Sequence, residues 1–503
     1  MTTPAKVLAI GMDSAHKDLL LQWSESGDLP TLQFLRRRGV CGVMTSPPGL
    51  GDDATWASLY TGVSPARHGR YFYSQVWPGT YKATKFRDLD LKHEPFWDTI
   101  SCANKRVVII DVPKSPLSKD LNGIQLADWL VHGRDHGSAC SWPPRLALEV
   151  TEQFGLPTSL CEMTELGKAD YKAFLDLQLS SVEMKAELSG QYLDQGGWDL
   201  FMTVFKESHC IGHLFWHLLD PAHPQHDARL ALSLGNPIKK VYTAIDAAIC
   251  RLLERVGPET TVIIFSDLGM GPNYTGTALM EDVLLRLGNH KPTSDRASTS
   301  LLKSIREKIP ANIREQVKSR LGHASRVWRD LEYRNRKCFT VGHNEISGAI
   351  RINLVGRERY GRIHRGTEYD AYCEYLISNF LELINLDTGE PLVQEVLRTA
   401  YLYPGDYLDN LPDLLVVWNR NAPISCAGSV KVGEIRSTYP GYWSGNHVPD
   451  GIFFASGPGI EPEELTPPVS VMDMAPTIAA LLEIRLPDVD GVPIAAICGK
   501  ERR

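Results

Sequence analysis

Apolar residues recur along this chain in two rhythms. Short, nearly unbroken runs at residues 7–11 (VLAIG), 106–112 (RVVIIDV), 200–205 (LFMTVF), 261–265 (TVIIF) and 451–455 (GIFFA) read as strands buried on both faces. Weaker runs at 40–44, 123–130, 348–354 and 413–418 extend the set. Between them the apolar positions return at helical spacing: 31–38 closed by Gly39, 55–60 stopped by Gly62, 172–192, 238–256 opened by Pro237, and 369–386. Strands alternating with helices predict an α/β fold with a mostly parallel central sheet flanked by helices. From Thr275 to Cys338 the strand pattern stops and the tone is helical. Residues 1–274 and 339–503 are therefore expected to form the core, and 275–338 a helical insertion, a cap or lid.

Polar groups collect just past the predicted strand ends, where ligands of α/β sheets gather. In residues 198–220 (WDLFMTVFKESHCIGHLFWHLLD) a strand meets the polar break Lys206-Glu207-Ser208 and then an apolar helix. His209, His213 and His217 recur every four residues and so share one helical face. Imidazoles four apart can close on one metal ion. A histidine-bearing core helix is the alternative, and it is the reading for His217, which lies among Leu214, Phe215, Trp216 and Leu218. Asp13 ends the first strand, placed to hold a cation or to cap a helix starting near Ala15. Residues 47–69 hold a Gly-rich loop, Asp52 and Asp53, and a helix whose free N–H groups make an anion seat. Asp53 is read as that helix's N-cap. Asp267 stands at another strand end, and His447 lies in a loop.

Composition narrows the partners. The 503 residues carry 43% hydrophobic and 22% charged side chains and a net charge of -7, a balance that offers nothing to nucleic acid or a membrane surface. No apolar run reaches the roughly 18 residues of a span, and the first residues pass into a strand without a signal-peptide pattern. The ten cysteines are scattered without a CxxC pair, which suits mostly free thiols and a cytoplasmic location. Oligomeric state is not legible. Residues 303–337 carry eleven Lys/Arg against four Asp/Glu, a solvated helical face or a surface that attracts an anionic substrate.

Six motifs in order resemble the alkaline phosphatase superfamily, in its type I phosphodiesterase/nucleotide pyrophosphatase branch. VLAIGMDSA matches a first-strand aspartate, and ATWASLYTGVSPARHG is similar to the family's nucleophile helix. HCIGH resembles an Asp-x-x-Gly-His pair, IIFSDLGMG a Ser-Asp-His-Gly, GNHVPDGIFFASGPGI the last ligand histidine and its strand, and VMDMAPTIAALLEIRLPDVDG the closing helix. The resemblance implies an alkaline-phosphatase-like core with two adjacent metal sites. One would take His209, His213 and His447, a neutral tripod suited to Zn2+. The other would take Asp13, Asp52 and Asp267, an all-oxygen set for a possible second divalent ion, Zn2+, Mg2+ or Mn2+. Three residues depart from the pattern. His209 replaces an aspartate, Leu268 replaces a ligand histidine, and the nucleophile position falls on Asp52, with Thr55 the nearest hydroxyl.

The implied activity is metal-dependent hydrolysis of a small phosphate ester, phosphodiester or phosphomonoester, or of a sulfate ester. Attack is expected from metal-activated water or from Asp52. A phosphoryl or sulfuryl transferase or mutase on the same fold, and a degenerate relative that only binds an anion or a metal, are the alternatives. Glu207 is expected to orient the imidazoles, and Trp129, His132 and Asp135 are candidates for similar or substrate-facing roles. His68 is expected to pack the turn after the nucleophile helix.

Overall fold

The computed structural model describes residues 5–130, 135–155, 170–288, 333–343, 346–437 and 443–499. Its largest sheet has nine strands, in the order Glu463–Ser470, Val40–Thr45, Asp450–Ser456, Thr260–Ser266, Lys6–Met12, Leu200–Phe205, Val107–Ile110, Gly123–Ala127, Cys140–Trp142. All run parallel except Asp450–Ser456 and Cys140–Trp142, which oppose their neighbours. The expected mostly parallel α/β core is thus present.

The reason is visible in the alternation of side chains. Leu8 and Ile10, Phe201 and Phe205, Val262 and Ile264 face one core, which holds apolar residues of the helices Asp170–Gln195, Glu207–Leu219 and Pro237–Leu253. Val7 and Ala9, Leu200 and Met202, Ile263 and Phe265 face the other, which draws on the helices Asp52–Thr61, Phe96–Cys102 and Met474–Leu481. A sheet covered on both faces needs apolar residues at every position, which is why these strands read as unbroken runs.

Two expectations change. The runs at 348–354 and 413–418 do not extend the large sheet. They supply Ser347–Ile352 and Leu414–Trp418 of a separate four-stranded antiparallel sheet, where they pair with each other. Its core also takes residues from the helix Thr367–Leu381. Second, the helix expected at 55–60 begins at Asp52 with Gly51 as its N-cap, so Asp53 lies in the first turn and is no cap. His16, not Asp13, caps the helix Lys17–Glu25.

Much of the basic insertion, residues 289–332, lies outside the described residues. Among the described residues eight cysteines lie outside any disulfide, whereas Cys210, next to His209, is disulfide-bonded. Among the described residues no helix is long and apolar enough to cross a membrane.

Candidate active site

Lys6–Met12, Leu200–Phe205 and Thr260–Ser266 are parallel neighbours with Gly11 opposite both Val204 and Phe265, so they end at one edge of the sheet. Asp13, His209 and Asp267 follow those ends. The helix starts at Glu207, one residue after the Lys206 break begins, and His209 and His213 stand on its first two turns. His447 arrives differently. It belongs to the strand Gly445–Val448, which pairs antiparallel with Gly269–Pro272 so that His447 lies opposite Met270. This ribbon presses onto the histidine helix at two glycines: a Cβ on Gly445 would meet the Gly212 carbonyl oxygen at 2.2 Å. The close approach lets the Gly445 carbonyl accept from His213 Nδ1 at 2.8 Å.

The three imidazoles are brought together. His209, His213 and His447 are buried, and one ligand atom from each lies within 4.8 Å of the others. Since Gly445 offers only an acceptor, His213 carries its proton on Nδ1. His209 Nδ1 lies 3.1 Å from Asp13 Oδ2, which fixes the same tautomer there. Both rings then turn an Nε2 lone pair inward, and those atoms are 2.8 Å apart. Neither ring nitrogen of His447 has a hydrogen-bond partner, although the residue is 3% exposed. Buried ring nitrogens converging in this way, with the His447 ring unpartnered, favour a cation among them. The donor set fits a zinc-type ion.

Asp13, Asp52 and Asp267 also reach this edge. Asp13 Oδ1 accepts from Trp56 Nε1 at 3.2 Å and Ser14 Oγ at 3.1 Å. Asp267 Oδ1 accepts from Ser14 N at 3.0 Å, while its Oδ2 has no partner. Burial, and then the neighbouring Asp13, push the Asp267 carboxyl well above its ordinary range. Asp52 behaves oppositely. Burial opposes its ionisation, yet the Lys114 ammonium, and then His447 and His209, hold it well below the usual carboxylate range. Lys114 Nζ ion-pairs with Asp52 Oδ2 and lies 3.2 Å from Asp53 Oδ2. Arg70 continues the chain of charges, donating to Asp53 Oδ1 at 2.6 Å and to Asp135 Oδ2 at 2.8 Å.

Other expected residues take different places. The Thr55 hydroxyl donates back to the Gly51 carbonyl at 2.9 Å, an in-helix bond that turns it away from an attacking role. Glu207 is buried, but neither carboxylate oxygen finds a partner, so it does not hold the imidazoles; Asp13 and Gly445 do. Trp129 gives its indole N–H to the Gly155 carbonyl at 2.9 Å and packs within a core. His132 lies outside the described residues. Leu268 is fully buried, and His217 contacts Ser444 Oγ at 3.0 Å, a structural bond. His68 pairs with Ser58 Oγ at 3.0 Å and accepts from Arg70 N at 3.1 Å, locking the turn after the helix Asp52–Thr61.

Lys114 and Arg70 are not among the expected residues, because acids and imidazoles are the groups that mark strand ends as ligand sites. Lys114 stands just past the 106–112 run, so the same positional rule applied to cations would have found it.

The type I phosphodiesterase / nucleotide pyrophosphatase description matches residues 7–422, most of the chain. The chain belongs to that family. Its membership supports phosphoester hydrolysis of the phosphodiesterase/pyrophosphatase type. Among solved structures, this phosphodiesterase-family chain is similar to murine ectonucleotide pyrophosphatase/phosphodiesterase 5, at 12% identity over 97% of each chain with a TM-score of 0.51. An inactive variant of that murine protein in complex with AMP matches at 13% identity, 97% of each chain and a TM-score of 0.52. Phosphonoacetate hydrolase from Sinorhizobium meliloti 1021, in complex with phosphonoacetate, matches at 12%, 95% of each chain and 0.55. At these identities the likeness establishes the alkaline-phosphatase-like fold. No curated protein matches.

Buried neutral histidines make the fold sensitive to acid. Burial lowers His68 to about 3, and His217 and His343 to about 4. The unfolded chain therefore binds protons first, and stability is complete above pH ~6.5 and lost as pH falls toward the folded values. His136, which its hydrogen bonds to the Asp128 and Asp88 carboxylates push up to about 12, has its stabilisation already present over that range and does not reverse the trend. At pH 4.5 each of the three histidines is expected to cost roughly 2 kcal/mol. Calorimetry of the metal-free protein should show a Tm that falls steadily from pH 6.5 to 4.5; a flat profile would contradict this.

Proposed function

We propose that this chain hydrolyses small phosphate esters, phosphodiesters first, using one zinc ion held by His209, His213 and His447. The observation that carries the reading is the pair of inward Nε2 lone pairs 2.8 Å apart beside the unpartnered, buried His447 ring. Three neutral nitrogen ligands leave a fourth position for water or substrate. When bound, the ion supplies positive charge against the phosphoryl oxygens and acidifies the attacking water. The likeness to proteins solved with AMP and with phosphonoacetate supports a substrate with an anionic phosphorus centre.

The chain's own residues prepare the site. Asp13 and the Gly445 carbonyl hold His209 and His213 in the tautomers that expose Nε2. Asp52, kept ionised beside Lys114, carries a negative charge that is felt at His209 and His447. Both its oxygens are engaged, Oδ1 by the Asp53 N–H at 3.0 Å and Oδ2 by Lys114. Such a carboxylate is a poor nucleophile toward phosphorus and a weak base, and it serves as a hydrogen-bond acceptor that positions the attacking water. Water attack forms one P–O bond as the ester P–O bond breaks, and the alkoxide that leaves takes up the proton that the water gives up. Sulfate monoesters, tetrahedral and with one charge fewer than a phosphate monoester dianion, are a secondary class.

The decisive experiment measures metal content of the purified protein together with turnover of bis-p-nitrophenyl phosphate, p-nitrophenyl phosphate and p-nitrophenyl sulfate. Zinc with phosphodiester turnover is expected; tight zinc with no turnover of any ester would end the hydrolase reading. The attack mode has its own test. Rapid quenching is expected to trap no label on Asp52, and Asp52→Asn to lower kcat about 10²-fold, the cost of a misplaced attacking water. Label on Asp52 in the parent and none in the variant would instead make it the nucleophile.

A further inference from the structure

The second, all-oxygen site implied by the resemblance does not assemble here, and its place in the electrostatics is filled by the protein. Of the six carboxylate oxygens on Asp13, Asp52 and Asp267, five already have hydrogen-bond or ion-pair partners: the two of Asp13, the two of Asp52, and Asp267 Oδ1. Only Asp267 Oδ2 is without one. Among the described residues the three imidazoles are the group whose ligand atoms converge, and the aspartates form no second one. The side chain after Asp267 is Leu268, buried and unable to coordinate.

What stands beside the zinc-type tripod is an ammonium. Lys114 lies in the loop after the strand Val107–Ile110, with a backbone φ of +57°. Its carbonyl is pinned by Tyr60 Oη and Arg70 Nη1, each at 3.0 Å, so the loop has little freedom to swing. The side chain is 13% exposed and bridges Asp52 and Asp53. The strand it follows is the parallel neighbour of Leu200–Phe205, so Lys114 and the tripod lie at the same sheet edge, and its charge is felt at His209 and His447. The His209 substitution belongs to the same arrangement. An imidazole there, unlike a carboxylate, can give its second nitrogen to Asp13, which becomes an orienting carboxylate rather than a ligand.

We propose that the centre works with a single metal ion and that the Lys114 ammonium supplies the second positive charge, facing the phosphoryl group that Asp52 adjoins. Transfer of a phosphoryl group needs charge on its non-bridging oxygens, and an ammonium with three donors meets that need as a point charge. The inference rests on the hydrolase reading but fails separately from it.

Native mass spectrometry of the full-length protein in excess Zn2+ tests the count, and isothermal titration with inorganic phosphate tests the lysine. One ion per chain is expected. Two ions would overturn this proposal and leave the hydrolase reading standing; none would overturn both. Lys114→Met is expected to keep the single ion, weaken phosphate binding at least tenfold and lower kcat about 10²- to 10³-fold, the scale for one lost charge-stabilising donor. Lys114→Arg, which keeps the charge, is expected to bind phosphate within about tenfold of the parent. Parent-like phosphate affinity in Lys114→Met, or equal losses in both variants, would refute the role of the charge. Should Lys114→Met fail to fold, the ion count and the arginine variant still decide.

Discussion

His213→Ala is expected to release the bound ion and to lower kcat/KM by about three orders of magnitude or more, equivalent to roughly 4 kcal/mol of lost transition-state stabilisation. His213 is the hub of the tripod: its Nδ1 is anchored on the Gly445 carbonyl, and its Nε2 meets that of His209. Alanine removes one of three ligands, and two imidazoles do not make a tight site. The variant should still fold, because the helix Glu207–Leu219 keeps the apolar contacts of Ile211, Leu214 and Phe215 in the core. Inductively coupled plasma mass spectrometry and steady-state kinetics on a phosphodiester check both halves. Unchanged metal content would refute the tripod.

The largest expected loss of stability lies behind the site. Asp111 and Lys185 form an ion pair of 2.6 Å in which both side chains are fully buried. The Asp111 carboxylate also accepts from Trp129 N at 2.9 Å and from Leu130 N at 2.8 Å. Asp111→Ala leaves the Lys185 ammonium with the Val204 carbonyl at 3.0 Å and strands two backbone donors. Breaking a buried pair by removing one partner typically costs about 3–5 kcal/mol, because the remaining charge stays buried. Urea unfolding of Asp111→Ala should show that loss. A midpoint equal to the parent's would mean that water or a shifted carboxylate reaches Lys185.

His209 and His213 were legible because a helix repeats every 3.6 residues, and His447 through the motif it shares with the family. Asp13 was legible as a strand-end acid, but its partner was not. Nothing in the local sequence says that it will meet an imidazole 196 positions away. Glu207 misled for the same reason: adjacency in sequence to His209 suggested contact, whereas the first helical turn points its carboxylate elsewhere. Thr55 looked like a spare hydroxyl until the helix was found to start early enough to bond it to Gly51. The strands at 348–354 and 413–418 carried the right rhythm, and only their pairing assigned them to a second sheet.

By itself the sequence determined the strands, the helices, the mostly parallel core and the three imidazoles, since period and burial are written in consecutive residues. Tertiary structure alone decided that Lys114 lies on Asp52, that Asp13 orients His209, and that a glycine-to-glycine contact brings the Gly445 carbonyl to His213. Those contacts join separate loops at one sheet edge, and their energies depend on burial and charge that exist only once the chain has closed around them.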